Sequence, residues 1–163
     1  MLTQARLKQL LRYDADTGLF TWIAHQRRPD LIGTIAGSPQ GQGYICINVD
    51  NRKHKAHRLA WLYVNGAWPS VHIDHRNRVK DDNRIENLRE ATKAQNERNK
   101  GLRSVNTSGV TGVYWSIAAQ KWQAYIRVDG RMKYLGVFAD KEEAINARRT
   151  AELSNFGEFA SAA

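Results

Sequence analysis

The stretch Lys121-Trp122-Gln123-Ala124-Tyr125-Ile126-Arg127-Val128 alternates along its length, and Asp129-Gly130 follows at once, leading into Arg131-Met132-Lys133-Tyr134-Leu135-Gly136. A period of two marks a strand with one covered face, and Asp-Gly supplies the positive φ values that a two-residue hairpin turn demands. This fixes an antiparallel pair, to which Val113-Tyr114-Trp115-Ser116 adds a third strand. Asp140 then caps a helix with Glu143 completing a capping box, and Ala144, Ile145, Ala147 and Ala151 give that helix a small-residue face able to lie on a sheet. Three antiparallel strands plus one helix are expected here.

The rest of the chain is punctuated differently. The first twelve residues read as a short helix. Tyr13-Asp14-Ala15-Asp16-Thr17-Gly18 is turn chemistry leading to short strands at Leu19–Trp22 and Tyr44–Val49, with a loop between them marked by Gly33, Gly37, Pro39, Gly41 and Gly43. That loop lacks the Lys and Ser/Thr of a phosphate-cradling Walker loop. Asp50-Asn51 makes a tight turn. Leu59, Leu62 and Tyr63 space a mostly buried helix from Ala56 to Asn65, stopped by Gly66. Val71-His72-Ile73-Asp74-His75 is strand-like and enters a polar loop that runs to Asn87. A second helix starts near Thr92, whose hydroxyl and Gln95 form a capping box, and ends near Asn99.

Charge narrows the partners. The 163 residues carry 25 Lys and Arg against 16 Asp and Glu, a net +9, and +7 of it lies between residues 51 and 104. Such a balance favours polyanions, nucleic acid first. With Cys46 as the single cysteine, a disulfide framework and paired-cysteine zinc sites are excluded, leaving His, Asp, Asn and Glu as metal donors. No apolar run approaches a membrane span, and the start lacks a secretory h-region. A cytoplasmic protein is expected, in the host cytoplasm if phage-encoded, with no membrane partner.

Within residues 74 to 96 the chain gathers Asp74-His75, the acidic pair Asp81-Asp82, and the amides Asn83, Asn87 and Asn96. Histidine can act as a general base near neutral pH, and Asp and Asn oxygens suit Mg²⁺, which takes few protein ligands. These are parts for phosphodiester hydrolysis. Elsewhere, His57 is expected to hydrogen-bond inside the core at a helix start, and His72 to lie on the face away from a metal. His25 and His54 carry no signal beyond a loop or turn location.

Ile73-Asp74-His75, Asp82-Asn83-Arg84-Ile85-Glu86-Asn87-Leu88-Arg89, Thr92-Lys93-Ala94-Gln95-Asn96 and the upstream Ala56-His57-Arg58-Leu59-Ala60-Trp61 resemble the HNH endonuclease motif of the phage and intron-homing branch. The resemblance implies a ββα-metal unit in which His75 activates water, Asp74 and Asn96 hold one divalent cation, and Asn87 holds the loop and orients His75. Many members end the motif in His where this chain has Asn96, and a neutral amide oxygen favours Mg²⁺ or Mn²⁺ over zinc-like ions. Neighbours in a regular strand point to opposite faces, so convergence of Asp74 and His75 on one phosphate calls for an irregular backbone there.

The carboxy-terminal pattern, from Ser108-Gly109-Val110-Thr111-Gly112 to Glu142-Glu143-Ala144, resembles the Apetala-type, or ethylene-response-factor, DNA-binding domain, which implies a sheet laid in the major groove. Lys121, Tyr125, Arg127, Arg131 and Lys133 are the candidate DNA contacts there, with Arg76 and Arg78 beside the nuclease motif. Arg27, Arg28 and Arg52 could add contacts from an amino-terminal strand platform.

The expectation is an α+β chain: short strands and a helix over 1–55, a ββα-metal unit over 56–101, a linker over 102–108, and a three-stranded antiparallel sheet plus helix over 109–160. Its function would be that of a monomeric metal-dependent endonuclease that nicks double-stranded DNA, leaving 3′-hydroxyl and 5′-phosphate ends. The alternatives are a catalytically inactive DNA-binding regulator that keeps the scaffold, and a nuclease or binder of structured RNA.

Overall fold

The computed structural model describes residues 1–99 and 106–160. The chain divides into two compact units, Met1–Asn96 and Glu97–Ala163. No helix among the described residues is long and apolar enough to cross a membrane.

In the first unit, α1 (Gln4–Leu10) starts on Thr3, whose hydroxyl accepts the Arg6 N–H at 3.2 Å. The helix is shorter than its sequence suggests. Leu11 turns extended and begins β1 (Leu11–Tyr13), which pairs antiparallel with β2 (Phe20–Trp22). A second sheet, in the order β3-β4-β5, contains β3 (Ser38–Gln40), β4 (Tyr44–Val49) and β5 (Arg52–Lys55). Two of these strands were not legible. β3 is an exposed edge inside the glycine-rich connection, and β5 is Arg-Lys-His-Lys, which has no apolar period and follows β4 because Asp50 and Asn51 adopt left-handed φ values of 47° and 62°.

α2 (Ala56–Asn65) buries Ala56, His57, Leu59, Ala60 and Leu62 and ends at the left-handed Gly66. β6 (His72–His75) and β7 (Leu88–Ala91) form an antiparallel hairpin around the long polar loop. α3 (Lys93–Arg98) follows, with the Thr92 N–H on Gln95 Oε1 at 2.7 Å and the Gln95 N–H on Thr92 Oγ1 at 3.3 Å, the reciprocal cap expected of that pair. Strand, strand and helix in this order make the ββα arrangement.

One apolar core runs through the unit, from Leu7, Leu10 and Leu11 through Phe20, Trp22, Ile47 and Val49 to Leu59, Leu62, Ile73 and Leu88. The boundary expected at residue 55 therefore falls inside a single body. The expected linker at 102–108 lies mostly outside the described residues.

The second unit is the three-stranded antiparallel sheet plus helix: β8 (Val113–Ser116), β9 (Lys121–Val128) and β10 (Arg131–Phe138) in the order β10-β9-β8, with α4 (Lys141–Phe156). Asp140 accepts the Glu142 and Glu143 N–H groups at 2.7 and 3.1 Å. Val110, Val113, Ala124, Ala144 and Ile145 form its core, lined by Trp122, Leu135 and Phe138.

Candidate active site

β6 ends on His75, which is buried, as are Asp74, Asn83 and Asn87. The His75 ring meets the His57 ring edge-on, with centroids 5.0 Å apart, and Tyr44 lies 6.0 Å from His75 and 5.3 Å from His57. His75 Nε2 faces Asn83 Oδ1 at 3.3 Å, while Asn83 Nδ2 donates to the Asp81 carbonyl at 3.1 Å. That second bond turns the amide oxygen toward the imidazole, so Nε2 is the donor and Nδ1 the basic nitrogen. Burial lowers the His75 pKa, against the Asn83 hydrogen bond and the Asp74, Asp82 and Asp81 carboxylates, which raise it. For His57 burial dominates, helped by His75, Lys55 and Arg58, and takes the pKa down to about 3. His57 is in the core at the start of α2 as expected, but its Nδ1 has no hydrogen-bond partner among the described residues.

The loop that carries Asn83 is braced from two directions. Asn87 Nδ2 donates to the Asp82 carbonyl at 2.8 Å, Asn87 Oδ1 accepts the Asn77 N–H at 3.0 Å, and the Asn87 carbonyl accepts the Arg76 N–H at 2.9 Å. Asn87 thus ties the loop together, whereas the side chain bonded to His75 is Asn83. The amino-terminal hairpin supplies the other brace. Tyr13 donates its hydroxyl to the Asn83 carbonyl at 2.7 Å, and burial pushes that phenol up to about 12, keeping it a donor. Gly18, at φ +74°, lets the β1–β2 turn touch the loop backbone, since a Cβ there would sit 2.5 Å from Arg84 N and 2.6 Å from the Asn83 carbonyl carbon. Sequence reasoning missed Tyr44 and the orienting role of Asn83. Only the aromatic at the head of β4 and the asparagine beside two aspartates hinted at them.

Pairing of β6 with β7 runs without a shift: His72 with Ala91, Ile73 with Glu90, Asp74 with Arg89, His75 with Leu88. The irregularity expected at Asp74-His75 is therefore absent, and the backbone departs from the strand only beyond His75, with Arg78 at φ 66°. Directly opposed residues share a face, so Asp74 and Arg89 lie on one side of the hairpin and His75 on the other. His72 shares the Asp74 side of the hairpin and is exposed. Arg89 Nε and Nη2 lie 3.0 and 2.9 Å from Asp74 Oδ2 in a buried ion pair. Asn96 is half-buried on α3, its N–H on the Thr92 carbonyl at 2.9 Å.

A carboxylate and an amide oxygen are donors that suit a hard cation, but the Asp74 carboxylate is held by Arg89 on the face of the hairpin opposite His75. No cluster of three His, Cys, Asp or Glu side chains suited to a closed metal cage occurs among the described residues.

Arg76 and Arg78 are exposed in the turn after β6. On the second unit, register separates the other candidate contacts. Lys121, Tyr125 and Arg127 share the open face with Tyr114, Gln123, Met132 and Tyr134. Arg131 and Lys133 oppose Val128 and Ile126 and fall on the side facing α4. Tyr114 stacks on Tyr125 at 5.5 Å, and Tyr134 meets Tyr125 at 5.1 Å, making a tyrosine stripe across the three strands.

The class that these residues point to is the HNH endonucleases, whose family model matches residues 54–98. The match takes in α2, β6, β7 and α3, and with them His57, Asp74, His75, Asn83, Asn87 and Asn96. Over 78 residues the chain is 30% identical to Protein 3.8 of Escherichia phage T7; the match covers 47% of this chain and 64% of that protein, less than two thirds of the relative's length. A structure solved for DNA binding and cleavage by the HNH homing endonuclease I-HmuI is similar with a TM-score of 0.45 and 21% identity, covering 89% of this chain and 84% of that one.

Proposed function

We propose that this chain is a divalent-metal-dependent DNA endonuclease that hydrolyses one strand of a duplex, acts as a monomer, and leaves 3′-hydroxyl and 5′-phosphate ends. The observation that carries the proposal is the buried, neutral His75 held by Asn83 within the segment that matches the HNH model. An imidazole whose Nε2 donates to an amide keeps its other nitrogen basic, able to take the proton of a water as its oxygen attacks phosphorus. Asn83 keeps the ring from turning, and Asn87, Tyr13 and Gly18 keep Asn83 in place. For Asp74 and Asn96 to hold Mg²⁺ or Mn²⁺ beside His75, Asp74 must loosen its pairing with Arg89 and the end of β6 must turn to bring it to the His75 side; the ion, when bound there, would stabilise the charge developing on the phosphate and the leaving 3′ oxygen.

The open face of the second unit, with Lys121, Tyr125 and Arg127, would bind the duplex in the manner of the Apetala-type sheet, with Arg76 and Arg78 gripping backbone near the site. Arg131 and Lys133 would then contact DNA only from the margin of the hairpin.

Arg89 favours a second reading, because its pairing with Asp74 gives that carboxylate a structural duty. The chain would then be a DNA-binding regulator that keeps the ββα scaffold. Supercoiled plasmid incubated with Mg²⁺ or Mn²⁺ separates the two. The endonuclease yields nicked circles, loses about 10²–10⁴-fold in rate as His75→Ala while still shifting DNA in a gel, and stops in chelator. A chain that shifts plasmid in every lane and nicks it in none is the regulator, and a preference for structured RNA over duplex DNA in competition would overturn both.

A further inference from the structure

Lys55, at the end of β5, and Lys80, in the β6–β7 loop, both bring their ammonium groups to the ring of Tyr44, at 4.3 and 5.3 Å from its centroid. Lys80 also donates to the Gln42 carbonyl at 2.9 Å, which fixes its direction. Neither lysine is in an ion pair with a carboxylate among the described residues. Both ammonium groups lie within 5.3 Å of one ring centroid, close enough that a single phosphate at the edge of the ring could meet both charges. The ring that gathers them is the one packed against His57 and His75. We infer that Tyr44, Lys55 and Lys80 form a binding site for a backbone phosphodiester of DNA, the one next to the linkage presented to His75 on the same strand.

The chemistry supports this ligand over a free anion. A strand that places one linkage at His75 necessarily carries another phosphate on each side, within reach of the ring that packs against His75. Segments distant in sequence, β4, β5 and the loop after β6, converge to make the site. Its charge belongs to the strongly basic middle third of the chain.

The inference rests on the nuclease reading, and binding measured without cleavage keeps the two distinguishable. The full-length chain, in chelator, is titrated into a mixed-sequence DNA duplex several helical turns long at a series of salt concentrations. Lys55→Gln with Lys80→Gln should weaken binding about tenfold and make the slope of log K against log salt shallower by about 1, the loss of roughly one phosphate contact. Lys55→Arg with Lys80→Arg should restore the slope. Lys8→Gln, which removes a lysine standing over Tyr63 instead, should leave the slope unchanged. Thermal melting of each variant should match the unaltered chain. An unchanged slope in the double glutamine variant overturns the site while leaving the nuclease reading intact. Failure of the unaltered chain to bind duplex DNA overturns both, and an equal loss on a duplex RNA of the same sequence overturns the assignment to DNA.

Discussion

The two units bury polar side chains for different ends. In the second, Arg148 lies between α4 and the sheet with Nε and Nη2 on Glu152 Oε1 at 3.0 and 2.6 Å and Nη1 on the Tyr125 carbonyl at 2.5 Å. Ser108 likewise donates to the Val110 carbonyl at 2.8 Å. These groups are satisfied, and the Arg148 bond to the Tyr125 carbonyl fastens helix to sheet. In the first unit one buried imidazole holds Asn83 by a long hydrogen bond, beside a second whose Nδ1 has no partner among the described residues; His54 Nε2, on the ring stacked on Trp68, is likewise without one. Native proteins leave few buried polar atoms unsatisfied, and those they leave gather where chemistry is done. The contrast sets the His57–His75 pair apart from the satisfied ion pair of the second unit, whereas His54 shows that an unpartnered imidazole alone does not make a site.

The sharpest way to break this comparison is to remove a satisfied group. Arg148→Ala would strand the Glu152 carboxylate in the second unit and orphan the Tyr125 carbonyl, at about 3–5 kcal/mol. Hydrogen exchange read separately on the two units should show β9, β10 and α4 opening early while β6 and β7 keep their protection. If both units open together, they do not fold as the separate bodies that their cores suggest.

Gly18→Ala makes the converse test in the first unit. A Cβ there meets loop backbone on two sides at a left-handed φ, so the turn or the loop must move, at about 2–3 kcal/mol. Plasmid nicking should fall further than the folded fraction does, because the displaced loop carries Asn83. Nicking that merely tracks the folded fraction would mean that the hairpin stabilises the unit without positioning His75.

Several of these residues were legible before the structure, and the difference is instructive. The Thr92–Gln95 cap follows from a short spacing whose partners lie nearby in sequence. Asp129-Gly130 and the alternation around it fix β9 and β10 because a hairpin is a local event. What escaped depends on long-range pairing. β5 is a strand only because β4 lies beside it, with Cys46 opposite Lys55 and Val49 opposite Arg52. Tyr13 reaches Asn83 across seventy positions. The separation of Arg127 from Arg131 and Lys133 needed the register across the turn, which a one-residue slip would reverse.

Acid should sharpen the contrast next. The His57 pKa is depressed by burial from 6.5 to about 3, so between those values the unfolded chain takes up a proton that the folded chain refuses. Its stabilising share is complete above about pH 6.5 and is lost as pH falls, at up to about 1.4 kcal/mol per pH unit. Burial also lowers His54 and His75, so His57→Asn should reduce the slope of unfolding free energy against pH without abolishing it. Urea titrations at about pH 7, 6 and 5 measure this directly. A slope unaltered by His57→Asn would show that the imidazole can recruit a partner on protonation, making the unpartnered Nδ1 a poor marker of the site.

The smallest effect distinguishes the two sides of the second unit's sheet. Arg127 stands on the open face beside Tyr125, whereas Arg131 opposes Val128 on the side facing α4, although both are exposed arginines at one hairpin. Electrostatic attraction at long range would treat them alike, while docking of the open face would not. If that face meets the duplex, Arg127→Gln should make the salt dependence of binding shallower by about 1 and Arg131→Gln should change it by much less. Equal small losses would assign the second unit a diffuse positive field in place of a docking face. A larger loss at Arg131 would turn the sheet over and put its hairpin end, with Lys133, against the DNA.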